Sequence, residues 1–334
     1  MPTRVAVYGV GMIGQMFVRE ASRRKDLKIV AAVDVDPSKV GMDVGILSGV
    51  GRLGVLVSDD PDRALEEGRP DITVHATTSY LRAVYDQLAT IVRHGVSVIS
   101  TCEELTYPYL TEELSKLAED LDREAKAHDT TVLGAGVNPG FMMDMLPSIL
   151  TAPCVSVRKV VVERVIDASK RRRTFMEKVG VGMTEEEFRE AIGSGKITGH
   201  VGLAQSAALI ARALGRRLER AEEGFQPVIA EREVESSGVR VPRGRVLGIR
   251  QEARCFVDGE ERVVLRFQAY VGADERDAVE IDGIPAVRMT IRPCVHGDLG
   301  TVGVLMNYIP RVLEAEPGLK TVLDLLPAFS RLTS

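Results

Sequence analysis

Apolar residues in the N-terminal part of the chain fall into two rhythms. Val5–Gly9, Ile29–Val35, Ile72–Ala76, Val96–Ser100 and Val132–Gly134 are short, nearly unbroken apolar runs. Runs of that length, bounded by turn residues, fit strands buried on both faces. Between them the period becomes helical. Leu81, Val84, Tyr85, Leu88, Ile91 and Val92 recur on one face of a segment from Leu81 to Arg93, and Gly95 after His94 is a stop signal. Thr111–His128 is charged but places Leu114, Leu117, Leu121 and Ala125 together. Met12–Ser22 and Pro61–Glu67 are further helical stretches, and Val55–Ser58 is a short strand. Such alternation predicts right-handed crossovers and a parallel sheet covered on both faces.

Beyond Asn138-Pro139-Gly140 the pattern changes. Val155–Ile166 alternates β-branched with charged residues, and Arg245–Val257, Arg262–Tyr270 and Ala286–Pro293 read as strands. Asp258-Gly259 suits a hairpin turn between the first two of these. Thr184-x-x-Glu187 is a capping box opening a short helix, and Leu203–Leu218 reads as a long apolar helix. In the tail, Gly300–Glu314 and Leu319–Leu326 carry helical patterns. The predicted fold class is α/β. A Rossmann-type doubly wound parallel sheet spans residues 1–147, and a C-terminal α+β domain with a mostly antiparallel sheet spans 148–299. Whether the helices of 300–334 pack back on the first domain is left open by the pattern.

Composition narrows the class without changing that picture. A chain of 334 residues suits two domains, and 45% hydrophobic with 27% charged residues suits packed globular ones. The net charge of −5, with both signs mixed along the chain, argues against a nucleic-acid surface. No apolar run reaches the ~18 residues of a membrane span, and no basic-then-apolar leader precedes the first strand, so a cytoplasmic protein is expected. Cys102, Cys154, Cys255 and Cys294 form no C-x-x-C pair, and the five histidines lack ligand spacing. No metal centre is expected.

Gly9-Val10-Gly11-Met12-Ile13-Gly14 matches G-x-G-x-x-G between a predicted strand and a predicted helix. That context is what raises a common pattern to a dinucleotide site. Gly9 allows the tight turn, Gly11 lets the backbone approach the pyrophosphate, and Gly14 permits close helix–sheet packing. Asp34 lies twenty residues after Gly14, where an acid can accept from both ribose hydroxyls and repel a 2′-phosphate. NAD is therefore favoured, although Ser38 and Lys39 stand close enough to hold the phosphate of NADP. The bland alternative for Asp34 is a solvated turn carboxylate.

Ligands of an open α/β sheet sit outside the carboxyl ends of its strands. Thr77-Thr78-Ser79 follows one such strand and can line the nicotinamide riboside, or cap a helix. Ser100-Thr101-Cys102-Glu103-Glu104 ends the next. Two adjacent carboxylates there can raise one pKa and yield a general base near neutral pH, or both can be solvated in a loop. Asn138 can shape the far side of a nicotinamide site or serve only a turn, and His200 can meet substrate or simply start a helix. His296 with Asp298 reads as helix capping, and Lys170–Arg173 as a solvated charge run that can also attract a carboxylate.

Four stretches carry a resemblance across nearly the whole chain. ISTCEELTYP (Ile99–Pro108), GVNPGFMMD (Gly136–Asp144), GHVGL (Gly199–Leu203) and HGDLGTVGVLMNYIP (His296–Pro310) resemble the 2,4-diaminopentanoate dehydrogenase and native amine dehydrogenase family. The N-terminal domain is similar, more distantly, to dihydrodipicolinate reductases. Glu103 is followed by Glu104, so the Glu-Lys-Pro signature of sugar-type oxidoreductases is absent. The resemblance implies NAD(P)-dependent oxidative deamination of a primary amine, reversible as reductive amination of a ketone with ammonia. It places the catalytic carboxylate on Glu104, with Glu103 as fallback, and it implies a homodimer through the second domain's sheet. Two other readings compete. An imine or enamine reductase would consume NAD(P)H and release no ammonia, and a dinucleotide-sensing protein would turn over no amine.

Overall fold

A computed structural model describes residues 1–330 and Leu332, apart from Arg172, and only the backbone of Thr174. The chain divides into two compact units, Met1–Phe141 with His296–Ser334, and Met142–Val295. Along the first stretch run β1 (Thr3–Tyr8), α1 (Met12–Ala21), β2 (Leu27–Val33), α2 (Val44–Leu47), β3 (Val57–Ser58), α3 (Pro61–Gly68), β4 (Ile72–His75), α4 (Leu81–Arg93), β5 (Ser97–Ser100), α5 (Glu112–Ala127) and β6 (Thr131–Gly134). The second unit holds α6 (Met145–Leu150), β7 (Ser156–Asp167), α7 (Arg173–Lys178), α8 (Glu185–Gly193), α9 (Leu203–Ala213), β8 (Arg220–Ile229), β9 (Val234–Ser236), β10 (Val239–Val241), β11 (Val246–Val257), β12 (Glu260–Tyr270), β13 (Arg276–Ile284) and β14 (Val287–Ile291). The chain then returns to the first unit with α10 (Gly297–Leu313) and β15 (Gly318–Lys320).

The first unit is built on a parallel sheet of seven strands in the order β15-β6-β5-β4-β1-β2-β3. β4, β5 and β6 are buried along their length and β1 from Val5 onward, which is why they read as nearly unbroken apolar runs. After β1 the chain winds outward through β2 and β3, then restarts on the other side with β4. That reversal between β1 and β4 is the switch point at which such sheets leave a crevice at their carboxyl ends. Leu81, Val84, Leu88, Ile91 and Val92 of α4 and Ala118, Leu121 and Ala125 of α5 form one buried cluster with the sheet. α10 packs against α1 and β5.

The second unit carries a six-stranded sheet, β14-β13-β7-β12-β11-β8, antiparallel except for the β7–β12 pair. Asp258 and Gly259, both with positive φ (52° and 75°), make the β11–β12 turn. Thr184 and Glu187 form the reciprocal capping box of α8. Arg164 of β7 and Asp277 of β13, both buried, pair at 2.9 Å, and each also bonds the backbone of Val295 at the unit's last residue.

Two helix expectations fail, and two strands lie outside the predicted pattern. The segment read as a helix over Leu319–Leu326 opens instead with strand β15, and Asp324 then binds the Thr321 backbone in a turn. α9 stops at Ala213, five residues short of Leu218, where Leu214 caps it ahead of Gly215 at φ 73°. Strands β8 and β13 were not expected at all. The capping expected of the His296 and Asp298 pair is present: His296 caps α10, its Nδ1 accepting from Leu299 N–H at 3.4 Å, while Asp298 sits in the first turn.

Candidate active site

The glycine turn after β1 is set by steric need. Gly9 takes φ 95°, and a Cβ there would land on the Ala76 carbonyl oxygen. A Cβ on Gly14 would land on the Gly9 carbonyl oxygen. Both glycines therefore serve the protein's own packing. Gly11 differs, because no atom lies within 4 Å of where its Cβ would be. It is the N-cap of α1 and supplies no side-chain cap, with Met12 and Ile13 half-buried in the first turn. An open backbone at a helix N-terminus is the form of a phosphate cradle, so these residues fit a dinucleotide.

Asp34, just past β2, is laced to that turn. Its Oδ2 accepts the Val10 N–H at 2.7 Å and the Lys39 ammonium at 3.1 Å, and its Oδ1 accepts the Asp36 N–H at 2.9 Å. It is not a solvated turn carboxylate. Lys39 also lies 3.3 Å from Asp36 Oδ2, so the cation expected near a 2′-phosphate is held between two acids.

The neighbouring strand ends are joined to each other. Thr101 N–H donates to the His75 carbonyl at 2.9 Å, tying the turn after β5 to the end of β4. Thr77 and Thr78 are exposed and Ser79 is half-buried. The Ser79 carbonyl accepts from Glu104 N–H at 3.2 Å and from the Cys102 thiol at 3.2 Å. Glu103 and Glu104 open a single 3₁₀ turn, Glu104–Thr106. Glu104 Oε2 accepts the Leu81 N–H at 2.7 Å. Tyr80, at the N-cap of α4, offers no side-chain cap. Glu104 thus satisfies an open N–H of a helix that begins 23 residues earlier. The capping alternative for Thr77–Ser79 is not what the structure has.

Two features back this turn. A Cβ on Gly134 of β6 would come within 2.5 Å of the Leu105 backbone, so only glycine lets β6 approach so closely. Burial pushes the Cys102 thiol up to about 12, and the backbone hydrogen bond at Leu105 offsets little of it. It is an unreactive buried thiol.

Asn138 follows β6 on the same sheet edge, half-buried and in cis linkage to Pro139, next to Val137, whose N–H meets Thr301 Oγ1 of α10 at 3.3 Å. Gly9, Gly11, Met12, Ile13, Gly14, Asp34, Thr77, Thr78, Ser79, Thr101, Glu103, Glu104 and Asn138 all stand in the segments that leave the carboxyl ends of β1, β2, β4, β5 and β6. His200 belongs to the second unit. Its ring stacks on Phe267 at 4.8 Å, and its backbone is gripped by Gln251, which accepts the His200 N–H at 2.7 Å and donates to its carbonyl at 3.0 Å. Gln251 also donates to Glu223 Oε2 at 2.9 Å. Of the basic run, Lys170 pairs with Glu275, Arg171 lies over the Phe175 ring and Arg173 pairs with Glu177, while Arg172 falls outside the described residues.

Sequence reasoning missed Leu81, whose contribution is a backbone N–H and leaves no side-chain signal. It missed Gln251 inside a strand pattern, and it did not foresee that Lys39, close enough to hold the phosphate of NADP, pairs with Asp34.

Residues 3–120 match the N-terminal domain of dihydrodipicolinate reductases. Residues 141–332, more than half of the chain, match the 2,4-diaminopentanoate dehydrogenase C-terminal domain. The chain belongs to the 2,4-diaminopentanoate dehydrogenase family. A 2,4-diaminopentanoate dehydrogenase from Acetoanaerobium sticklandii is 33% identical over 267 residues, covering 78% of this chain and 75% of that protein. An amine dehydrogenase from Streptomyces virginiae is 26% identical over 98% of this chain and 97% of its own length. The solved amine dehydrogenase of Mycobacterium smegmatis superposes with a TM-score of 0.84 at 28% identity, over 99% of this chain and 98% of that one. Membership in the 2,4-diaminopentanoate dehydrogenase family makes the chain an enzyme, an oxidoreductase of the amine dehydrogenase class that uses a nicotinamide dinucleotide.

Proposed function

We propose that the enzyme deaminates a primary amine oxidatively, its substrate being a diamino acid of the 2,4-diaminopentanoate kind, and that Glu104 is the base. The observation that carries this reading is the Glu104 carboxylate. One oxygen is fixed by the Leu81 N–H at 2.7 Å, on the same sheet edge as the glycine turn. Among the described residues the carboxylate makes no other hydrogen bond. A base held by one oxygen has the other for the substrate. Gly9 to Gly14 would hold the pyrophosphate, Asp34 the ribose hydroxyls, and Thr77–Ser79, Thr101 and Asn138 the nicotinamide end. Bound there, nicotinamide supplies the acceptor for the hydride leaving the carbon that bears nitrogen.

Glu104 takes a proton from the substrate ammonium, which frees the nitrogen lone pair that drives the hydride out. Once that proton has passed to solvent, the Glu104 carboxylate is again an anion beside the nitrogen, and it stabilises the positive charge that develops as the iminium forms. The same carboxylate then takes a proton from the water that adds to the iminium carbon. The C–N bond then breaks, ammonia leaves and a ketone remains. Run backwards, the same steps aminate a ketone. Asp34 would favour NAD, accepting from the ribose hydroxyls and repelling a 2′-phosphate, and Lys39 is already paired with it. His200 is assigned to substrate binding, and the working form to a cytoplasmic homodimer.

Glu104→Gln tests this directly, because its amide oxygen can still accept the Leu81 N–H. NADH affinity by fluorescence titration should hold, while NADH and ammonia production from diamino acids should fall about 100- to 1,000-fold. Near wild-type turnover would move the role to Glu103, to be checked with Glu103→Gln. Silence with every primary amine, together with NADH consumption by a cyclic imine, would favour the reductase reading that the N-terminal match to dihydrodipicolinate reductases keeps alive.

A further inference from the structure

His75 is the last residue of β4 and is fully buried. Its Nδ1 lies 2.9 Å from Ser100 Oγ, the last residue of the adjacent strand β5. Its Nε2 lies 2.8 Å from Gln87 Oε1 on α4 and 3.2 Å from Thr77 Oγ1, and the Thr77 hydroxyl donates to the same Gln87 oxygen at 3.1 Å. The Tyr8 ring packs 5.4 Å away. An amide oxygen only accepts, so Nε2 carries the proton. Nδ1 then accepts from the Ser100 hydroxyl, whose oxygen accepts the Cys102 N–H at 3.1 Å. Both ring nitrogens and the Ser100 and Thr77 hydroxyls have partners, which a buried network requires if it is not to cost stability. Burial lowers the imidazole to about 4, so the ring stays neutral and the assignment of roles is fixed through neutral and alkaline pH.

The network reaches two places that matter. Through Thr77 it holds the loop after β4. Through Ser100 and Cys102 it holds the turn whose next residues are Glu103 and Glu104. We infer that His75 is a positioning residue for amine oxidation, joining these two loops so that the Glu104 carboxylate stands where the substrate's proton is taken. This rests on Glu104 being the base. A ring that served packing alone would not need both nitrogens within hydrogen-bond distance of side chains on two neighbouring elements, β5 and α4.

The test compares His75→Phe, which keeps the bulk and removes both ring nitrogens, with His75→Asn, whose amide oxygen can replace Nδ1 as acceptor for Ser100. Amine oxidation by the full-length enzyme is measured per NADH-binding site, so loss of folded protein does not count. A misplaced group near the chemistry can cost about 100-fold, and His75→Phe should lose that much in kcat with amine KM and NADH affinity within about threefold. His75→Asn should recover most of the loss. Wild-type kcat in His75→Phe, or equal impairment in both variants, overturns the inference. Should His75→Phe not fold, Ser100→Ala cuts the link to Cys102 and should lose kcat in the same way, and wild-type kcat there overturns it too. Glu104→Gln run alongside separates the two ideas. If it stays active, the base reading fails and His75 has no base to position. If it is inactive while His75→Phe is active, positioning alone fails. With both correct, adding His75→Phe to Glu104→Gln should cost nothing further, because the pair acts as a unit.

Discussion

The two ends of the site stand on one sheet edge but are held by different means. The turn after β1 is held by sterics: Gly9 and Gly14 fit because nothing larger would, given the carbonyl oxygens of Ala76 and Gly9. The turn after β5 is held by hydrogen bonds that converge from three elements and the loop after β4, through Ser79, Leu81, Ser100 and, behind them, His75 and Gln87. A steric fit leaves a motif in the sequence, because it restricts residue type at fixed spacing. A hydrogen-bonded turn leaves almost none, because most of its bonds use a backbone atom. The first end can bind phosphate with any substrate chemistry. The second, in the function proposed above, is where the chemistry would be chosen.

The contrast should be sharpest among the three glycines. Gly14→Ala must push the Gly9 carbonyl aside, at a cost of roughly 3 kcal/mol, and should abolish measurable NADH binding along with lowering Tm. Gly11→Ala has open space and an ordinary φ of −78°, so its Tm should match wild type. Its NADH affinity should nevertheless fall by at least about tenfold, because the methyl group would stand where a pyrophosphate approaches. Unchanged affinity in Gly11→Ala would show that the cofactor does not lie against that backbone.

Asp34 joins the steric end to ordinary charge pairing, and its replacement should have an intermediate effect. Asp34→Asn weakens the acceptor for the ribose hydroxyls and releases Lys39 from one of its two acids. Bonds to a charged group are worth about 1.5–3 kcal/mol, so the ratio of NAD to NADP efficiency should drop about 10- to 100-fold. Kinetics with both cofactors at fixed amine decide this, and an unchanged ratio would remove Asp34 from the ribose.

How far the sequence could be read follows the same division. β1, β2, β4, β5 and β6 were legible because parallel strands buried on both faces must be apolar throughout. The Asp258-Gly259 turn was legible because both positions need positive φ. β8 was not, since as an edge strand it carries Arg220, Glu222, Glu223 and Gln226. β13 was hidden because its buried face begins with Asp277, an acid that only the pairing with Arg164 of β7, 113 residues away, makes tolerable inside. At the site, G-x-G-x-x-G and Asp34 could be placed from spacing alone. Glu104 needed a family resemblance to stand out from Glu103, and its anchor, the Leu81 N–H, could not be seen before the fold. His75 read as one more residue of an apolar strand.

The smallest effect expected is also the one that isolates the hydrogen-bonded end. The His75 ring titrates near 4 when folded, against an ordinary 6.5, because burial disfavours its charged form. The unfolded chain therefore binds the proton first as pH falls. Stability linked to His75 is complete above about pH 6.5 and is lost progressively as pH drops toward 4. No charged group contributes to this shift. The hydrogen bond to Gln87 opposes it, and the neighbouring Tyr8 is itself kept neutral by burial. Between pH 7 and pH 5.5 the loss should be about 1 kcal/mol, which lowers Tm by about 2–4 °C. In His75→Asn no ring remains to titrate, so the same pH step should cost less by that amount, as calorimetry of the two proteins would show. Parallel curves for wild type and variant would mean that His75 titrates normally. The fixed neutral ring on which its positioning of the Glu104 turn depends would then be lost.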